Sequence, residues 1–134
     1  MTTQQYVYKI ASLLRVVDGD SIWLYLDGGF RMTLLVNLRL AGVDCPEMNS
    51  RSEYERVRAQ EAKALTGAFL TFTADKTLWI RTEKDPDSFG RWLGTIWRED
   101  SETAEFLGDL LVAAQLATRW PTRWHEVYLN AEPQ

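Results

Sequence analysis

Cysteine is almost missing from this sequence. Cys45 is the one thiol in 134 residues, so no intramolecular disulfide and no thiolate zinc cluster can form. Histidine is as scarce, and His125, without a partner at metal-ligand or triad spacing, reads as a surface residue. No hydrophobic run approaches membrane-spanning length, and Met1 to Ile10 lacks the charged start and long apolar centre of a signal peptide. The expectation is a cytosolic or already processed chain with no membrane partner. Internal repeats and low-complexity segments are absent as well. A positive charge excess is the last thing lacking: the net charge is −4 and the pI about 5.0. These totals do not promise a broad basic face of the kind that binds a polyanion through counterion release. A local patch remains open, because arginine outnumbers lysine and is the better residue for gripping a phosphate with two parallel hydrogen bonds.

The length fits one domain, 1–134, with frayed ends at about 1–5 and 126–134, and suffices for a core without disulfides or a structural metal. What the chain does carry is concentrated at two acidic bends. Val16-Val17-Asp18-Gly19-Asp20-Ser21 is a β-branched run that stops at a bend and resumes as Ile22 to Leu26. Asn37 to Val43 is a second apolar run, ending in Asp44-Cys45-Pro46-Glu47. A strand pair joined by a short turn can bring such ends together, so Asp18, Asp20, Asp44 and Glu47 can share one small volume. Carboxylates that close raise one another's pKa unless a cation lies between them, and a hard divalent ion with oxygen ligands answers that need.

The remaining chain alternates predictably. Tyr6 to Val17 reads as a long, irregular strand, Ser21 to Leu26 as a second, and Phe30 to Leu40 as a third, returning from the hairpin signal Asp27-Gly28-Gly29. Ser52 with Glu55 is a capping box opening a helix whose apolar face is Tyr54, Val57, Ala62, Leu65, Phe69 and Phe72. Thr77 to Arg81 and Arg91 to Trp97 supply two more strands around a charged loop, 83–90. From Ser101 the chain turns into a helix with Phe106, Leu107, Leu110, Leu111 and Ala114 on its apolar face. This order predicts an α+β fold built on a five-stranded Greek-key barrel of the oligonucleotide-binding type, the first helix plugging between strands three and four.

Three blocks carry a resemblance. Asp18-Gly19-Asp20, then Arg39-x4-Asp44-x-Pro46-Glu47, then Gly90-Arg91 resemble, in order and spacing, the signature of the staphylococcal nuclease family over roughly Leu13 to Ala117. The resemblance implies a calcium-dependent nuclease hydrolysing phosphodiester bonds of DNA or RNA with low sequence selectivity and leaving 3′-phosphate ends. By position, Asp20, Asp44 and the Cys45 carbonyl would hold the calcium, with Asp18 acting through water. Glu47 would orient or deprotonate the attacking water, and Arg39 and Arg91 would bind the phosphate from two sides.

Each block also has a plain reading. Asp-Gly-Asp alone is usually a turn, and Arg39 or Arg91 alone is as readily a surface ion-pair partner. Cys45 is expected to be a small buried residue serving through its carbonyl, since neighbouring carboxylates oppose a thiolate. Trp120 and Trp124 are the candidates for stacking on a base, and Phe89 for substrate contact. Ser88 and Phe89 stand where the family carries a lysine and a tyrosine, and the family's long basic third helix is shortened. Stability is then expected from a homodimer or from the extra aromatics. The competing reading is a non-catalytic oligonucleotide-binding module for nucleic acid or protein; a small-nucleotide phosphodiesterase is a third.

Overall fold

The computed structural model describes residues 5–73, 75–86 and 90–129, with 5 and 83–86 described by backbone alone. Strands β1 (Gln5–Asp18), β2 (Ser21–Gly29) and β3 (Met32–Leu40) form an antiparallel meander. β1 then pairs with β5 (Thr77–Pro86), and β5 with β6 (Trp92–Glu99). A parallel pairing of β3 with β6, Leu38 to Leu40 against Trp92 to Gly94, closes the five strands into a barrel. This is the oligonucleotide-binding type of α+β fold that the element order predicts.

Strand β1 serves both neighbours because it is irregular, with register breaks against β2 between Ile10 and Ser12, Leu13 and Arg15, and Val16 and Asp18. Such breaks bend a strand and let it turn from one sheet region to the next. In β2 the alternation of Ile22, Leu24 and Leu26 inward fixes the register, since a slip of one residue would expose all three. They meet Leu38, Leu40, Ile80 and Ile96 in the barrel, and helix α1 (Glu53–Thr71) and helix α2 (Leu107–Ala113) cover it through Phe69, Leu70, Leu107 and Leu111.

Four sequence expectations shift. The β2–β3 hairpin turns at Phe30-Arg31, both with positive φ, because β2 continues through Gly29 to pair with Met32. β5 extends to Pro86, because it pairs with β1 as far as Glu83 and with Trp92 of β6 at Pro86, so the loop is shorter than expected. Phe106 ends a short strand, β7 (Ala104–Phe106), so the second helix starts only at Leu107. Helix α1 buries Ala59, Ala62, Thr66, Phe69 and Leu70, while Tyr54, Val57 and Phe72 are exposed. The reason is proximity: a Cβ on Gly19 would lie 2.8 Å from the Ala62 Cβ, so the helix face that meets the first acidic bend must be small.

Two very short strands, β4 (Val43–Asp44) and β8 (Thr118–Arg119), pair at the barrel's end. Beyond them the chain passes a cis Trp120–Pro121 peptide into a one-turn helix, α3 (Trp124–Tyr128). Among the described residues no helix is long and apolar enough to cross a membrane.

Candidate active site

The three sequence blocks converge through strand register. Ser21 pairs with Arg39 across β2 and β3, which sets Arg39 beside Asp20. Arg39 pairs with Leu93 across β3 and β6, which brings Arg91 to the same barrel end. Gly42 then turns the chain with φ +77, where a side chain would be strained, and delivers Asp44 into β4. Gly90, with φ +78, turns it in the same way into Arg91.

The result is a cavity of about 740 Å³ whose lining includes Asp18, Asp20, Asp44 and Glu47 together with Arg39, Arg91 and Arg123. Asp20 and Asp44 are its buried pair, at 5% exposure each. Arg39 Nη2 stands between them, 3.6 Å from Asp20 Oδ2 and 3.4 Å from Asp44 Oδ1. Asp20 Oδ2 also accepts the Cys45 N–H at 3.1 Å, and Asp44 Oδ2 accepts the Trp124 N–H at 2.8 Å. Asp18 is half-buried and accepts the Met48 N–H at 3.3 Å. Glu47 is exposed at the rim, its backbone N–H donating to Glu55 at 2.8 Å. Arg91 is half-buried, with Nη1 3.4 Å from Ser21 Oγ.

Electrostatics follow from this burial. Loss of hydration raises the Asp20 carboxyl to about 6; Arg39 and the Cys45 N–H pull it down, and Asp44 and Asp18 push it further up. The Cys45 thiol is pushed far up, first by burial and then by Asp20 and Asp44, so it is no nucleophile and the residue acts as a small core group.

All of Asp18, Asp20, Arg39, Asp44, Cys45, Glu47, Arg91 and Trp120 line the cavity. Phe89 lies outside the described residues, as do Ser88 and Asp87. Trp124 is a correction: it is fully buried, between Tyr54 and Tyr128, and cannot stack on a base. Sequence reasoning missed two residues. Arg123 sits with Nε 3.4 Å from Asp44 Oδ2 and Nη2 3.9 Å from Glu47 Oε1. Glu55, read only as half of a capping box, donates its backbone N–H to the Ser52 hydroxyl, while its own carboxylate accepts the Glu47 N–H and the Ser50 hydroxyl. An acid in the first turn of a helix that follows an acidic bend was the available signal for Glu55; Arg123 had none.

Fold and cavity together define a small oligonucleotide-binding-type barrel with carboxylates faced by guanidinium groups at one end. A family model described as staphylococcal nuclease homologue matches residues 37–132, and the chain belongs to that family. The thermonuclease of Staphylococcus hyicus is 32% identical over 93 residues, covering 69% of this chain and 49% of that protein. The chain thus spans about half the length of this curated relative. The first acidic bend precedes the residues matched by the family model, and the Asp20 contacts to Arg39 and Cys45 tie it to them.

Proposed function

We propose that this chain is a calcium-dependent nuclease that hydrolyses phosphodiester bonds of DNA or RNA with low sequence selectivity and leaves 3′-phosphate ends. The observation that carries the reading is the buried Asp20 and Asp44 pair sharing Arg39, in a cavity that also holds Glu47 and Arg91. Family membership and the thermonuclease relative support it.

The donor set fits a hard divalent cation. By the family resemblance the protein's share would be Asp20, Asp44 and the Cys45 carbonyl; among the described residues no three His, Cys, Asp or Glu side chains gather into a metal cluster, so two carboxylates are the side-chain share. Calcium takes six to eight oxygens and accepts water and phosphate for the rest. Charge argues the same way: four carboxylates against three guanidinium groups leave the described cavity lining one negative charge, which repels a polyanion until a divalent cation reverses the sign. When bound, calcium supplies electrostatic stabilisation of the charge that gathers on the phosphate oxygens.

The chain's own residues do the remaining work. Glu47, exposed at the rim, takes a proton from the attacking water as the bond to phosphorus forms. Arg39 and Arg91 hold the phosphate from two sides and offset its growing charge. A guanidinium does not surrender its proton at working pH, so the departing 5′ oxygen is protonated from solvent. The half-exposed Trp120 offers a face for a base, which suits single strands and frayed ends.

The test is cleavage of labelled single-stranded DNA with calcium or a chelator, in wild type, Glu47→Ala and Arg91→Ala. Cleavage is expected only with calcium, and each substitution to reduce it by roughly 100-fold or more. Unchanged cleavage in both variants overturns the reading, and binding without turnover at millimolar calcium replaces it with a non-catalytic binding module.

A further inference from the structure

Arg123 is the cavity cation that none of the sequence blocks contains. Its two carboxylate neighbours, Asp44 at 3.4 Å and Glu47 at 3.9 Å, lie at ion-pair rather than hydrogen-bond distance. Asp44 Oδ2, the nearer of them, is already used by the Trp124 N–H. Arg123 Nε is shielded from solvent yet has no hydrogen-bond partner among the described residues. A shielded guanidinium N–H without an acceptor, beside a polar cavity, is an offer to an oxygen-rich ligand.

Its position says which part of the ligand. Trp120 lies beside two cations, with the Arg39 guanidinium carbon 5.6 Å and the Arg123 carbon 5.5 Å from its ring. The same pair flanks Asp44, Arg39 at Oδ1 and Arg123 at Oδ2. Arg39 and Arg123 therefore stand side by side along one indole.

We propose that Arg123 binds the phosphate next to the scissile one, making it a specificity-determining residue that favours strands with two consecutive phosphates over single phosphodiesters. This deepens the nuclease reading and rests on it. Arg39 and Arg91 serve the scissile phosphate, Trp120 the intervening base, and Arg123 the flanking phosphate. The C-terminal segment thereby supplies a further positive charge for the substrate backbone.

The experiment compares a thymidine dinucleotide bearing one phosphodiester with the same dinucleotide carrying an added terminal phosphate at its 5′ or 3′ end. In wild type one of the phosphorylated forms is expected to have the higher kcat/KM. In Arg123→Gln the ratio between that form and the plain dinucleotide falls by roughly 10- to 100-fold, toward one, and Arg123→Lys restores part of it. A ratio that persists in Arg123→Gln, with both substrates losing alike, overturns the proposal and assigns Arg123 to the scissile phosphate or to the carboxylates. A second measurement needs no turnover: binding of a labelled single-stranded oligonucleotide in calcium across salt concentrations, in a Glu47→Gln background. Removing one phosphate-binding charge lowers the slope of log affinity against log salt by about 0.7 in the Arg123→Gln protein, and an unchanged slope counts against the role. If wild type cleaves neither form, the nuclease reading falls and the slope alone decides on Arg123.

Discussion

Glu55 Oε2 accepts the backbone N–H of Glu47 at 2.8 Å, so the proposed base hangs from a buried carboxylate in the first turn of α1. The other oxygen of Glu55 takes the Ser50 hydroxyl at 2.7 Å, closing the loop between strand and helix. Replacing Glu55 with alanine strands both donors, at about 1–3 kcal/mol of stability. Because Glu47 then loses its anchor without losing its own carboxylate, kcat should fall roughly 10- to 100-fold with little change in KM. Steady-state kinetics beside urea unfolding checks both effects; a stability loss with kcat intact would confine Glu55 to the helix.

Gly19 is needed for space. A Cβ there would lie 2.8 Å from the Ala62 Cβ, 3.0 Å from Cys45 Sγ and 3.3 Å from the Ala62 carbonyl carbon, while Thr66 Oγ1 donates to the Gly19 carbonyl at 2.7 Å. Gly19→Ala should push the helix away from the bend and cost about 1–3 kcal/mol. Ala62→Gly relieves the closest clash at about 1 kcal/mol of helix propensity. The double variant should therefore be more stable than the sum of the single losses, by on the order of 1 kcal/mol. Denaturant unfolding of the four proteins gives the coupling, and strict additivity would rule out the clash.

Asp20 makes the metal-free protein sensitive to pH. Burial, with Asp44 and Asp18, raises its carboxyl from 3.8 to about 6 against the pull of Arg39 and the Cys45 N–H. A group whose folded pKa is raised favours the folded state while protonated; that contribution is whole below about 3.8 and is lost as pH rises through about 6. The loss at neutral pH is on the order of 3 kcal/mol. In chelator, Asp20→Asn should flatten stability across this window, and calcium at pH 7.5 should stabilise wild type far more than the variant. Parallel pH curves for the two proteins would contradict the assignment.

How much of this was legible in the sequence depends on how far apart the partners lie. Asp20, Arg39, Asp44 and Arg91 could be grouped because each sits at a strand end, and adjacent strands bring such ends together. Arg123 and Trp124 could not, because they reach Asp44 through β4 and β8, two-residue strands too short to show a period. The face of α1 was misread by size. Large residues Tyr54, Val57 and Phe72 have the look of core, but the helix approaches the Asp18 to Asp20 bend so closely that small residues take that face. The hairpin was misplaced because Gly28-Gly29 is the stronger turn signal, whereas pairing carries the strand on to Gly29 and leaves Phe30-Arg31 to turn.

Two tryptophans four residues apart should behave oppositely. Trp124 is fully buried, its ring centroid 6.2 Å from Tyr54 and 5.1 Å from Tyr128, with Nε1 donating to the Gln115 carbonyl at 3.1 Å. Trp124→Ala should cost about 3–5 kcal/mol. Its backbone N–H holds Asp44, so displacement of α3 should also weaken calcium affinity. Trp124→Phe keeps most of the packing, leaves the Gln115 carbonyl unpaired, and should lose about 1–3 kcal/mol with calcium affinity largely retained. Trp120 is 51% exposed and touches the Arg39 and Arg123 guanidinium groups, so Trp120→Ala should change stability by only about 1 kcal/mol or less. Removal of its stacking face should instead raise KM for single-stranded DNA by roughly 5- to 150-fold. Thermal unfolding, calcium titration and substrate kinetics on the three variants separate a core residue from a binding one. If Trp120→Ala proved the unstable protein and Trp124→Ala the one with raised KM, the roles would be reversed and base stacking at Trp120 would be lost with them.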